Sequence, residues 1–550
     1  MISPVQPPVR CLLIATALLS LLVSATAIGA DQANIVIIVA DDLGFNDIGS
    51  FGSEIETPNI DSLSRQGLRL TRFYTASTCS PTRAMLMSGT DSHLAGLGRM
   101  VELIPEEYQR SQPGYEGYLN ERVVSLANLM KDAGYHTYMA GKWHLGNAAT
   151  QSPTARGFER TFALLSGAAS HFDDMAGYSP ATPQGRYWQD GEEIFELPST
   201  FYSSDFYASR IMEYIDSNVD DGSPFFAYLS FTAPHSPLHA PAETMTKYRG
   251  KYTEGWDVIR ERRFDDAKSQ GVINEDAELP SRESFVQPWD SLDPETRECE
   301  SRLMEVYAAM VDRMDYNIGR VIEHLERRGI LENTYIVFFS DNGADASQYK
   351  DHPMLVAWYD LFDNQFDSIG HKGSHTFYGA GWAQAGEAPF RLSKTFTTEG
   401  GIRTPAIIVS PDRKRAGEIS DDVATVIDLL PTFLDIAGTK PPSDRIDDRE
   451  IYPPTGYSLL PILTGGEVNR RDGAIDFGIE LYNRRAIIKG DWKLVRVDHP
   501  EGSDAGWELF DLSIDQGEQH DLAASNPEKL AELVEDWEGY VIDNGVVLPD

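Results

Sequence analysis

The sequence predicts an α/β protein: a large, mostly parallel sheet sandwiched by helices, followed by a smaller α+β unit of antiparallel sheet plus helix. Three observations predict it. Short continuous apolar runs end in acidic or polar clusters, as in NIVIIVADDLG and TYIVFFSDNG, and runs of that length are strands buried on both faces. Helix-periodic stretches alternate with them, the grammar of a parallel sheet covered on both sides. Beyond a Pro/Gly-rich stretch at 440–466 the pattern changes to closely spaced strands around a tight turn.

The first strand, NIVIIVA, delivers Asp41-Asp42 at its carboxyl end. A helix over 121–133, with Val124, Leu126, Leu129 and Met130, stops at Gly134, and the extended YHTYMAGKWHLG follows. A helix near 204–216 precedes the strand PFFAYLSF, which runs into TAPHSP. A long helix around 301–327 places Met304, Tyr307, Met310, Val311, Met314, Ile318, Val321, Ile322 and Leu325 at helical spacing, a core stripe, and leads into TYIVFFSDNG. In such sheets ligands sit beyond the carboxyl ends of the strands, so Asp41, Asp42, His235, Asp341 and Asn342 are expected to meet in one crevice. The aromatic, irregular segment 348–385 is expected to wall it. In the tail, RRAIIKGDWKLVRV forms a hairpin turning near Gly490-Asp491, and WELFDL adds a strand. The last helix starts at Asn526-Pro527 and carries Leu530, Leu533, Val534 and Trp537 on one face. The chain thus divides into a signal segment 1–27, a main unit 31–455 and a terminal unit 470–550.

Arg10, the apolar run from Cys11 to Val23 and Ala25-Thr26-Ala27 have the form of a secretory signal peptide, which makes export to periplasm or medium the expectation. That run is short for a bilayer, and no later stretch approaches membrane-spanning length. The net charge of −38 argues against nucleic acid and anionic membranes as partners. An anionic substrate would approach against this field, so its site must concentrate its own cations or metal. Once Cys11 leaves with the signal, Cys79 and Cys299 remain, which excludes a disulfide framework but leaves one bridge between them open.

Adjacent carboxylates at a strand end repel unless a cation lies between them, and Asp341-Asn342 at a second strand end completes an all-oxygen set. Oxygen donors favour calcium or magnesium over zinc. Either pair alone is also ordinary turn chemistry. Cys79, in STCSPTR, raises a different question. Pro81 suits a first helical turn, so Cys79 stands at or just before an N-cap, where free amides and the dipole stabilise negative charge, and Arg83 lies one turn on. That context predicts a thiol of lowered pKa and a nucleophile. Yet a thiolate beside a hard, oxygen-ligated cation is mismatched chemistry, and no histidine lies close in sequence to act as its base.

At CSPTR the sequence resembles the type I sulfatases of the alkaline phosphatase superfamily, whose C-x-P-x-R cysteine is oxidised after synthesis to Cα-formylglycine. The resemblance runs from about residue 33 to the end and is nearest to bacterial arylsulfatases. It implies a large mixed, mostly parallel sheet with a C-terminal antiparallel sheet and helix, hydrolysis of sulfate monoesters, and maturation by a formylglycine-generating enzyme. It implies one calcium ion, with magnesium the lesser expectation, held by Asp41 and Asp42 of ADDLG, Asp341 and Asn342 of SDNG, and the modified Cys79. It also implies that Arg83 holds the aldehyde hydrate, that Lys142 and His144 of GKWHLG bind sulfate and the nucleophile, and that His235 of TAPH and Lys394 of KTFTTEGG serve the leaving oxygen and sulfate. The hydrate is a hard oxygen nucleophile, which removes the mismatch. His93, His171, His371, Lys372 and His375 carry no motif. Two other readings stand beside this one: a phosphate or phosphonate monoester hydrolase or carbohydrate sulfatase of the same superfamily, and a calcium-dependent carbohydrate-binding protein without turnover.

Overall fold

The computed structural model describes residues 1, 32–102, 107–347, 353–446, 448–466, 474–498 and 506–549. The predicted signal segment, apart from its first residue, lies outside them. The central strand β1 (Asn34–Ala40) is buried along its whole length. In chain order it is followed by β2 (Leu68–Tyr74), β3 (His136–Lys142), β4 (Arg160–Leu164), β5 (Phe225–Ser230), β6 (Thr334–Ser340) and β7 (Arg403–Val409). They assemble in the order β2-β7-β6-β1-β5-β3-β4, with short strands extending both edges of an 11-stranded sheet. β1 pairs in parallel with β6 and β5, and β3 with β5 and β4, whereas β7 runs antiparallel to both β6 and β2. The sheet is therefore mixed and mostly parallel.

Alternation along β1 builds two core layers. Val36, Ile38 and Ala40 join the layer that holds Met304, Tyr307, Met310, Met314 and Ile318, while Ile35, Ile37 and Val39 join the opposite layer with Met85, Leu126, Met130 and Phe433. Both faces are thus covered by helices, as a nearly unbroken apolar strand requires. The helices that matter below are α1 (Cys79–Ser88), α2 (Leu126–Asp132), α3 (Ser203–Asn218) and α4 (Pro294–Arg327). α2 is shorter than expected, because Ser125 caps it by accepting from Ala127 N–H. α4 starts two turns early: Asp293 accepts from the amides of Glu295 and Thr296, and Pro294 occupies the first turn, so a polar stretch becomes helical through its cap.

The terminal unit is a four-stranded antiparallel sheet, β8 (Phe477–Leu481), β9 (Arg484–Lys489), β10 (Trp492–Arg496) and β11 (Glu508–Asp511), with the helix α5 (Pro527–Asn544) against it. The β9–β10 hairpin turns at Gly490-Asp491, and α5 buries Leu533 and Trp537 on Ile487, Leu494 and Leu509. β8 is the strand missing from the sequence reading. Residues 353–385 are not one irregular loop, since they contain helices at Pro353–Tyr359 and Gly379–Gly386; residues 348–352 lie outside the described ones. No described helix is long and apolar enough to cross a membrane.

Candidate active site

Register brings the acids together. Ala40 of β1 lies opposite Ser340 of β6, so Asp41-Asp42 and Asp341-Asn342 leave neighbouring strands at the same level. β2, also parallel to β1, leads at that end into α1, whose N-cap is Thr78, with Cys79 the first helical residue. β3 ends there in Lys142, the turn after β5 presents His235, and the segment entering β7 presents Lys394. Asp41, Asp42, Cys79 and His235 each offer a ligand atom, all within 4.8 Å of one another.

Three cations thread this cluster. Lys142 Nζ donates to both oxygens of Asp41 at 2.9 and 2.8 Å, and Lys394 Nζ to Asp42 Oδ2 at 2.7 Å. Arg83 makes a fork on Asp341 Oδ2 at 2.9 and 2.7 Å and also donates to Ser230 Oγ and to the carbonyl oxygen of Lys142. His235 Nε2 is 3.4 Å from Asp42 Oδ2, and Asn342 Nδ2 donates to Asp42 Oδ1 at 2.7 Å. All of these side chains are buried. Burial opposes the charge of Lys142 and Lys394, yet the facing Asp41 and Asp42 hold both ammonium groups above their ordinary range. Asp41 is held low by Lys142 against the same burial.

The thiol behaves contrary to expectation. Burial pushes Cys79 well above the ordinary thiol range, over the opposing pull of Lys142 and Lys394, so the helix start does not yield a thiolate. Its Sγ donates to Asp42 Oδ1 at 3.7 Å. Cys79 and Cys299 are both free, which excludes the bridge between them.

The donor set fits a hard divalent cation. Asn342 Oδ1 is buried without a hydrogen-bond partner, an acceptor available to a ligand. Asp41, Asp42, Asp341 and Asp345 face Arg83, Lys142 and Lys394, so these four carboxylates and three cations sum to a formal charge of −1. One divalent cation turns that into +1, the sign a monoanionic ester needs. Asp41, Asp42, Asp341 and Asn342, with residue 79, are the donors that would hold it; Asp341 Oδ2 is also engaged by Arg83, and its Oδ1 accepts from Asp42 N–H at 3.2 Å.

Three residues of the site hold strained backbone. Asp42, His144 and Thr395 take φ of 65°, 56° and 76°, a region that side chains other than glycine's rarely occupy and that costs energy to hold. The motif-less residues divide. His171 Nε2 bonds the His235 carbonyl oxygen at 3.0 Å and so props the loop behind that histidine. His375 stands among Tyr178, Tyr359, Phe362 and Phe377, and Tyr178 in turn packs on His235 with ring centroids 5.4 Å apart, so these ring contacts tie the aromatic segment to His235 through Tyr178, which lies outside that segment. His371 and Lys372 are exposed, and His93 lies between Asp91 and Glu480 away from the cluster. Two acids escaped the sequence reading. Asp345 is 3.8 Å from Lys394, and Glu102 accepts from His144 Nε2 at 2.9 and 3.0 Å. Asp345 was signalled by its place four residues after Asp341, whereas Glu102 had no local signal.

The family profile described as Sulfatase matches residues 33–439. The chain belongs to the sulfatase family. An uncharacterised sulfatase of Schizosaccharomyces pombe is 45% identical over 527 residues, 94% of each chain, and an arylsulfatase of Klebsiella aerogenes is 37% identical over 452 residues, 81% of this chain and 95% of that one. Among solved structures, Ps i-CgsB in complex with a neocarrahexaose superposes with a TM-score of 0.65 at 25% identity, covering 93% of each chain. The sulfatase is thus an enzyme of sulfate ester hydrolysis, on a fold its relatives share.

Proposed function

We propose that this sulfatase hydrolyses aryl sulfates to a phenol and sulfate, with residue 79 acting as formylglycine hydrate beside one calcium ion. The observation that carries the reading is the buried cluster of four carboxylates and three cations around a thiol that burial keeps protonated. A protonated thiol is a poor nucleophile, whereas an aldehyde hydrate at the same position offers a hard oxygen to sulfur. Calcium, when bound, supplies positive charge for the sulfuryl oxygens. Arg83, fixed by its fork on Asp341, is placed to orient the hydrate. Lys142 and Lys394, held charged by Asp41 and Asp42, are placed to neutralise charge that develops on the sulfuryl group. His235 or Lys394 gives the leaving oxygen its proton, and His144 takes a proton from residue 79 as sulfate departs. Tyr178, half-buried and packed on His235 with His375 and Phe377 behind it, is placed to offer a face to a phenol ring. Export through the segment 1–27, maturation by a formylglycine-generating enzyme and division into units 31–455 and 470–550 belong to the same proposal.

The test is hydrolysis of 4-nitrophenyl sulfate beside 4-nitrophenyl phosphate by wild type and Cys79→Ala, both made in a host that carries out the cysteine conversion. Sulfate turnover that exceeds phosphate turnover, and falls by about 10⁴-fold or more in the variant, is the expected result. A converted residue 79 with no aryl sulfate turnover overturns the aryl assignment and leaves sulfated sugars or phosphonates as substrates.

A further inference from the structure

His144 is the end of a second, smaller constellation. Its Nε2 is held by both oxygens of Glu102, while its Nδ1 is buried and has no hydrogen-bond partner. Burial raises and the facing His144 lowers the Glu102 carboxyl, leaving it below its ordinary range, while a proton on Nδ1 would leave a buried donor without an acceptor. At neutral pH the pair is an ionised carboxylate facing a neutral ring. A carboxylate only accepts, so the ring proton must sit on Nε2. The lone pair is then on Nδ1.

The ring is also locked in place. A Cβ added to Gly167 would stand 2.8 Å from both Cε1 and Nε2 of His144 and 3.3 Å from Glu102 Oε1, so the glycine lets the backbone close against the pair. The backbone of His144 itself is held at φ 56°. Arg83, one turn beyond Cys79 on α1, donates to the carbonyl oxygen of Lys142 at 3.0 Å, and Lys142 ends β3 two residues before His144, so the pair stands at the end of β3 that faces the start of α1.

We propose that Glu102 is a positioning residue that fixes the His144 tautomer, so that the proton His144 takes from residue 79 as sulfate departs, as set out above, goes to Nδ1. This rests on the hydrate reading of residue 79 given above. In that step the proton moves from the hydroxyl of residue 79 to Nδ1 and the oxygen's electron pair closes the carbonyl. The bond from the carbon of residue 79 to the sulfate oxygen breaks, and its pair leaves with sulfate. The imidazolium formed is balanced by Glu102, and Lys142 and Arg83 oppose it, so without Glu102 two neighbouring cations would disfavour the protonated ring.

The experiment joins a spectroscopic readout to kinetics. Imidazole ¹⁵N spectra of wild type, with His144→Asn to assign the signal among the 12 histidines, are expected to show Nε2 protonated and Nδ1 bare at neutral pH. Glu102→Gln keeps an acceptor and is expected to keep that tautomer; Glu102→Leu removes it and is expected to give a mixture. With 4-nitrophenyl sulfate, kcat is expected to fall by about 10- to 100-fold in Glu102→Leu and less in Glu102→Gln, with KM changing little; this is less than the about 10²- to 10⁴-fold that an acid–base group itself contributes, because His144 stays in place. A protonated Nδ1 in wild type, or an unchanged kcat in a folded Glu102→Leu, overturns the proposal. The spectra use the unconverted protein, so they stand even where wild type turns over no aryl sulfate, an outcome that instead removes the hydrate reading.

Discussion

Two buried charge clusters can be set side by side, one at the carboxyl ends of the main sheet and one where the terminal sheet docks. In the second, Lys493 of β10 lies 2.8 Å from both Glu399 and Glu518, Arg403 of β7 pairs with Glu399 at 3.3 Å, and Arg391 bridges Glu508 and Glu518 at 3.0 and 3.7 Å. Three acids meet three bases, and the formal charges cancel. In the first, four acids meet three bases and one negative charge is left over; left-handed backbone does not separate the two, since Asp42, His144 and Thr395 hold it in the first and Glu518, at φ 52°, holds it in the second. Burial alone does not separate a structural network from a working one. An uncompensated buried charge does, because a fold that needed only stability would pair or remove it.

The largest test of that difference is Lys493→Met. It removes the cation that two buried carboxylates share, leaving Arg403 and Arg391 to face them, and is expected to cost about 3–5 kcal/mol of stability, read as a fall in the denaturant midpoint. Lys142→Met makes the same loss in the unbalanced cluster, where the expected effect is catalytic: a drop of about 10²- to 10³-fold in kcat/KM on 4-nitrophenyl sulfate, with a smaller stability loss in calcium than Lys493→Met shows. Equal stability costs for the two would erase the distinction between the clusters.

A pH scan sharpens it further. Burial opposes the charge on His93, yet Asp91 and Glu480 of β8 push it up to about 9. A folded value raised above the ordinary 6.5 means that this clasp contributes fully below that pH and is lost as pH rises through 9. The loss, about 3 kcal/mol, is expected as a falling melting temperature between pH 7 and 10 that His93→Gln abolishes. Smallest is the metal. Calcium at about 100 times its dissociation constant adds about 2.7 kcal/mol, so melting temperature should rise with calcium in wild type and stay flat in Asp42→Asn. A rise of equal size in the variant would place the ion elsewhere.

Much of the sheet was legible because its strands are short, wholly apolar and closed by polar punctuation: NIVIIVA before Asp41-Asp42 and TYIVFFS before Asp341-Asn342 both fold as read. The first two turns of α4 were hidden because PETRECE has no apolar period, and only its cap announces it. FGIEL of β8 is five residues with glycine at the second place, too brief for a pattern of alternation to stand out. At the site, motif residues came together, while the state of Cys79 was misjudged because sequence shows the helix start and not the depth of burial. Glu102 was invisible for the same reason: it meets His144 across 42 positions of chain, and nothing near either residue encodes that contact.

The seven-rung ladder from Asn34 opposite Thr334 to Ala40 opposite Ser340 has a genetic consequence. It works as a vernier that indexes two acidic pairs against each other. A one-residue slip displaces them by about 3.3 Å and turns each side chain to the other face of the sheet. Conservative substitutions inside NIVIIVA or TYIVFFS change packing by degrees, but a single inserted or deleted codon in either run dismantles the site at a stroke, although every one of its residues is still encoded.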